Sequence, residues 1–220
     1  MNSFFSYESK FSQVLMKIVD IICSSLLWVI CSIPLITIGA STKALFHVTR
    51  VGLNGEDGYI FKKFWDGFID NIKGSLIMWM IQGALLLVLS YDAFVLSHLA
   101  KNSIVFAFLY YVNYFFILYV IVWAIYACAY NNRFKQSTKV ILKNSALLAI
   151  GYLPYSFMII VVFLAAVLLL YYARITILIL PAINTLFADS LMEKIFRKHM
   201  SKEDLEKIQQ KEEEEKKFKR

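Results

Sequence analysis

Five long apolar runs separated by short polar stretches dominate this chain: residues 18–40, 74–97, 103–130, 145–172 and 175–191. About 20 apolar residues suffice to carry a helix across the ~30 Å hydrocarbon core of a bilayer. Lipid offers no partner to a backbone N–H or C=O, so each run must satisfy its own hydrogen bonds as a helix. The expected fold is therefore all-α, a polytopic transmembrane helical bundle of about five spans over residues 1–195, followed by a charged tail over 196–220. Apolar residues make up 59% of the 220 and charged residues 18%. Ordinary globular chains hold roughly 45–50% and 25%. A soluble domain of this size could not hide that surplus, whereas lipid accepts it.

Charge separates the two sides of such a bundle. Residues 201–220 hold seven Lys or Arg and seven Asp or Glu, so the net +7 lies entirely in the first 200 residues, mostly between the apolar runs. The loop after the first run carries Lys43, Arg50, Lys62, Lys63 and Lys73, and the loop after the third carries Arg133, Lys135, Lys139 and Lys143. The start of the tail adds Lys194, Arg197, Lys198 and Lys202, while the other side has only Lys10, Lys17, Lys101 and Arg174. Positive loops stay cytoplasmic. Five spans then place the C-terminus inside and the N-terminus outside. The basic residues are dispersed and form no basic helix face, so the expected partner is the anionic lipid surface and not nucleic acid.

Two amphipathic segments frame the first run. Aromatic and aliphatic residues recur near helical spacing in residues 1–17. Phe61, Phe64, Trp65 and Phe68 do so among Lys62, Lys63, Asp66 and Asp70, the pattern of helices lying at head-group depth. Between them, Asn54-Gly55 and Asp57-Gly58 mark turns. Within the first run, Pro34 removes a donor and clashes with the preceding turn. Either a kinked span or a re-entrant hairpin follows, the hairpin placing the N-terminus inside. Beyond Glu193 the chain reads as a charged helix with Glu212–Lys216 and Glu213–Lys217 at the favourable i,i+4 polarity.

Chemistry-bearing patterns are scarce. No metalloprotease, phosphate-loop or serine-hydrolase motif occurs, and the histidines, His47, His98 and His199, fall on opposite sides of the expected topology. No enzyme activity, metal or cofactor is expected. The three cysteines, Cys23, Cys31 and Cys128, lie in apolar runs and read as small buried hydrophobes. Intramembrane polar groups are the stronger leads because lipid makes them costly. Gln82 and Asn113 are expected to bridge helices, Asp92 to reach water near the end of its span, and Arg174 to pair with Asp92 or hold lipid phosphate.

One stretch is similar to a known family. Trp28-Val29-Ile30-Cys31-Ser32-Ile33-Pro34-Leu35-Ile36-Thr37-Ile38-Gly39-Ala40 resembles the opening motif of the YesL family of small bacterial membrane proteins, whose function is unassigned. Phe64-Trp65, Phe68 and Asn71 resemble its aromatic segment before the second span, and Arg133 with Leu142 through Leu148 and Leu153-Pro154 its central loop. The likeness spans roughly residues 1–195 and departs at Ser25, where the family favours asparagine. It draws attention to Trp28, Pro34, Thr37, Gly39, Asn71 and Arg133. It also implies an accessory role beside carbohydrate ABC transporter permeases in the bacterial cell membrane. A stand-alone oligomeric transporter or channel remains the alternative.

Overall fold

The computed structural model describes residues 10–51, 60–101, 103–134 and 136–198. Helices build it: α1 (Lys10–Ser32), α2 (Ile38–Val51), α3 (Ile60–Ile69), α4 (Ile72–Leu99), α5 (Ile104–Arg133), α6 (Thr138–Gly151), α7 (Leu153–Tyr172) and α8 (Leu180–Arg197), with short 3-10 turns at Leu35–Thr37 and Arg174–Leu178. The fold is the expected all-helical transmembrane bundle. Four helical stretches are long and apolar enough to cross a membrane: Val14–Ser32, Ile72–Leu99, Ile104–Arg133 and Leu153–Tyr172. Their surfaces are lipid-suited, with Ile104 and Tyr172 among the apolar side chains left more than four-fifths exposed.

Three of the expected runs are not single helices, and a proline sits at each break. The run 18–40 stops at Ser32. Pro34 has φ −74° and ψ 109°, an extended conformation, and its ring disfavours helix in the residue before it. The chain then doubles back. Trp28 Nε1 donates to Thr42 Oγ1 at 3.1 Å, although the two would stand ~21 Å apart along one continuous helix. Thr37 Oγ1 lies 2.6 Å from the carbonyl oxygens of both Cys31 and Pro34, so its one proton is shared between them, and the Pro34 carbonyl also accepts the Thr37 N–H at 2.8 Å. Trp79 Nε1 on α4 donates to the Leu35 carbonyl at 2.7 Å and pins the elbow. A straight kinked span through residue 40 is thereby excluded.

The run 145–172 breaks at Tyr152 (φ −117°, ψ 51°) ahead of Pro154, which occupies the first turn of α7. Ser156 Oγ bridges the bend by donating to the Ala149 carbonyl at 2.7 Å. The run 175–191 gives the 3-10 turn, a break at Ile179, and α8 with Pro181 in its first turn. α8 is not among the four apolar stretches, because Asp189, Glu193, Lys194 and Arg197 occupy its second half. Pro at a first helical turn costs nothing, since its missing N–H would have no partner there.

α4 and α5 pack against each other along their length, and α2 sits across them at one end. Gly39 permits that approach: a Cβ there would lie 2.6 Å from Trp79 Cβ and 3.2 Å from the Ser75 carbonyl oxygen. α3 closes on α2 in the same way, with Gly67 against His47. α3 is amphipathic as expected. Phe64 is buried with Ala44 and Val48, while Phe61 and Trp65 stack outward, ring centroids 6.4 Å apart. The larger core joins α5 to α8 around Tyr126, Ile141, Met192 and Ile195. The N-terminal part of the first amphipathic segment, the turns at Asn54-Gly55 and Asp57-Gly58, and the tail from His199 onward lie outside the described residues.

Candidate functional site

At 28 and 30 residues, α4 and α5 are ~42 and ~45 Å long, longer than the ~30 Å apolar core they cross. The surplus lets polar side chains gather beyond the hydrocarbon. They do so at the end where α4 starts, α5 and α8 finish, and the second half of α2 packs.

Asn71 opens that end. It is the non-glycine residue with positive φ among the described residues (φ 51°, ψ 39°), a conformation asparagine tolerates, and it turns the chain from α3 into α4. Its carbonyl accepts from Ser75 N at 3.0 Å and Ser75 Oγ at 3.1 Å. Its Nδ2 donates to Asn131 Oδ1 at 3.0 Å, and Asn131 Nδ2 donates to Ser75 Oγ at 3.0 Å. The three residues close a ring that ties the start of α4 to the end of α5. Beside it, Lys43 is 1% exposed and its Nζ sits 2.8 Å from Asp70 Oδ2, with a second bond to the Asp70 carbonyl. Asp70 is 48% exposed, so the cation carries most of the burial. His47 Nδ1 lies 3.2 Å from Asn132 Oδ1. Burial lowers the His47 pKa below the usual imidazole value, against the Asn132 bond, which raises it.

A second charged group lies where α2, α5 and α8 meet. Glu193 accepts from Arg133 at 3.0 Å and from Arg197 at 3.2 Å. Burial lowers the Arg50 pKa, opposed by Glu193 and Asp189. Burial pushes the Asp189 carboxyl up to about 7, with Glu193 adding to the rise and Arg50 opposing it. A polar cavity of about 260 Å³ opens among Asp70, Asn71, Asn131 and Gln136.

A larger, half-open cavity of about 440 Å³ lies between α1, α2, α4, α5, α7 and α8. Its wall is almost wholly apolar. The indole N–H groups of Trp28 and Trp79 are already bonded, to Thr42 and Leu35, and Thr185 donates to the Pro181 carbonyl.

Residues 21–93 match the family model described as "Protein of unknown function, DUF624". The match covers about a third of the chain, from α1 through most of α4. No curated protein and no solved structure matches the chain. The stretch similar to DUF624 contains the Pro34 elbow, Lys43, the α3–α4 turn with Asn71, and Gln82; Asn131, Arg133 and Glu193 lie beyond it.

The residues singled out in the sequence separate into three places. Asn71 and Arg133 stand in the polar end, in neighbouring clusters. Trp28, Pro34, Thr37 and Gly39 form the elbow, and Trp28 and Gly39 also line the large cavity. Gln82, Asn113, Asp92 and Arg174 join neither. Gln82 and Asn113 are 1% and 7% exposed, but they do not bridge helices: Gln82 Nε2 and Asn113 Oδ1 have no hydrogen-bond partner. The two residues sit about 15 Å from opposite ends of α4 and α5, too far apart in depth to meet. Asp92 and Arg174 are both exposed, and no ion pair joins them among the described residues. Sequence reasoning missed Lys43, Asp70, Ser75, Asn131 and Glu193. Ser25, where the family likeness departs, is fully buried and accepts the Ala182 N–H at 3.3 Å, meeting an orphan donor at the start of α8. Cys128 is buried as expected, but Cys23 is exposed.

Proposed function

We propose that this chain is a non-enzymatic accessory subunit of a carbohydrate ABC transporter in the bacterial cell membrane, with its C-terminus cytoplasmic and its N-terminus outside. The observation that carries this reading is the segregation of polarity. Hydrogen-bonding side chains collect at one end of the bundle, while the central cavity is walled by apolar groups, so a hydrated sugar finds no built route of its own through the described residues. The polar end offers instead a surface of amides and charges suited to another membrane subunit's cytoplasmic loops. The likeness of residues 28–40 to the YesL motif supports the same company. No nucleic-acid contact is part of this reading.

Affinity purification of a tagged chain from native membranes in mild detergent tests it. Stoichiometric recovery of permease subunits, with reduced sugar uptake in a deletion strain, is the expected result. A clean monomer together with unchanged uptake overturns it. The second reading, a stand-alone homo-oligomeric transporter or channel, is favoured by the cavity among the spans and by proline-broken helices of the kind that build transporter sites. Solute flux into proteoliposomes holding this chain alone would decide for it.

A further inference from the structure

We propose that the large cavity is a binding site for one acyl chain of a membrane phospholipid, a role that goes beyond the accessory reading and does not depend on it. Its volume, about 440 Å³, lies within the ~300–1,000 Å³ range of ligand pockets. Its walls include the three apolar spans that follow the elbow, together with α1, so the solvent around it is lipid. The lining chemistry selects an aliphatic ligand. Leu86, Ile121, Val162 and Phe163 present only hydrocarbon, and Ala124 and Ala166 leave the space that larger side chains would fill.

The polar groups of the wall narrow the choice. Trp28, Trp79, Thr185 and Cys128 spend their donors on protein oxygens, and Thr42 accepts the Trp28 donor, which leaves the Asn184 amide and the Thr42 hydroxyl as the polar groups of the wall. Two small polar groups in a wall otherwise built of hydrocarbon and spent donors do not make a polar site, so the ligand it suits is apolar over most of its length. The polar part of the ligand has a place nearby. On α2, Arg50 follows the lining residue Phe46 by one turn, and on α8 Asp189 follows the lining residue Ala188 directly. Arg50 and Asp189 interact electrostatically, so the two helices bring charge together just past the apolar wall. A chain inside and a charged head outside is the arrangement of a phospholipid, and the surrounding bilayer supplies it.

Trp28 and Trp79 make the site readable. Full-length protein in micelles is titrated with phosphatidylcholine whose acyl chains carry bromine, and tryptophan fluorescence is followed. The expected result is a saturable quenching component that reaches its plateau at one probe per chain, above a linear background from exposed Trp65. Ala166→Phe, which fills the cavity from α7, should abolish the saturable component and leave the background. Quenching that rises only linearly with the probe's mole fraction overturns the proposal. So does equal saturable quenching by a brominated alkyl detergent, mole for mole, because any alkyl chain would then suffice. Should Ala166→Phe fail to fold, Ala124→Leu, a smaller filling from α5, gives the same comparison.

Discussion

Asn71 combines two demands that substitution can separate. Its left-handed backbone costs an alanine ~1–2 kcal/mol, and its side chain supplies the Asn131 bond, whose loss leaves a buried acceptor at a cost of ~1–3 kcal/mol. Asn71→Gly should lose only the bond, and Asn71→Ala both, so thermal unfolding in detergent should rank wild type above Gly above Ala. Equal melting for the two variants would sink that account. Lys43 and Asp70 make a sharper pair because burial is so unequal between them. Removing the carboxylate in Asp70→Ala strands a buried cation, and losing one partner of a buried pair costs ~3–5 kcal/mol, lowered here by the backbone carbonyl that Lys43 keeps. Lys43→Met takes the cation away from a carboxylate that is already half-exposed and should cost under about 1 kcal/mol. If Lys43→Met proves the more damaging, the burial argument fails. Asp189 adds a pH dependence. Its carboxyl is raised from 3.8 to about 7 in the folded chain. Stability is therefore fullest below pH 4 for this group and is lost as pH rises toward 7, by at most about 4 kcal/mol. Asp189→Asn should flatten that slope and melt higher than wild type above pH 7; an unchanged slope would show that the carboxyl is not the source. Asn71 and Arg133 were singled out through the family likeness, Arg133 also as one cation of a basic loop. Their partners were not: Asn131 and Glu193 each lie 60 residues away, and no local pattern marks a contact at that separation.

Helix identity was more legible than helix continuity. The runs at 74–97 and 103–130 became α4 and α5 with small changes of boundary, because nothing in them interrupts the backbone ladder. All three runs containing a proline broke, and the hydropathy that revealed the runs is blind to such breaks. What decides between kink and break is whether other groups recover the freed carbonyls. Here Thr37, Ser156 and Trp79 do so, and none of them is marked as a backbone partner by the apolar pattern. Close packing at the elbow can be tested with glycine. Gly39→Ala would push a methyl into Trp79 and the Ser75 carbonyl and should destabilise by ~1–3 kcal/mol, the usual cost of overpacking. Gly83 on α4 has nothing within 4 Å of its added Cβ. Gly83→Ala should therefore be neutral or stabilising by up to ~1 kcal/mol. The contrast in melting temperature is the measurement, and a Gly39→Ala variant as stable as Gly83→Ala would mean that α2 and α4 can separate freely.

At the scale of the molecule, long-range contacts order the ends of the helices. The Asn71–Asn131 bond, the Arg133–Glu193 ion pair and the Lys198 ammonium 5.9 Å above the Tyr152 ring bring the start of α4, the end of α5, the start of α7 and the end of α8 to one side. Lys43, His47 and Arg50 of α2 join them there. The loop after α4, with Lys101, falls on the other side, ~42 Å away along α4. The basic loops coincide with the crowded side, and the orientation proposed above puts that side in the cytoplasm, as the charge rule expects. In that orientation α1, which leads into α2, ends on the cytoplasmic side and starts, at Lys10, outside. In a background without native cysteines, Lys101→Cys and Lys10→Cys should react with a membrane-impermeant maleimide in intact cells. Gln136→Cys, in the connection between α5 and α6, should react only after permeabilisation. Protection of Lys10→Cys in intact cells, with Lys101→Cys labelled, would mean that α1 enters and leaves by the cytoplasmic face. The Pro34 elbow would then lie within the bilayer, and the Trp28–Thr42 bond would close a re-entrant hairpin in place of the end of a span.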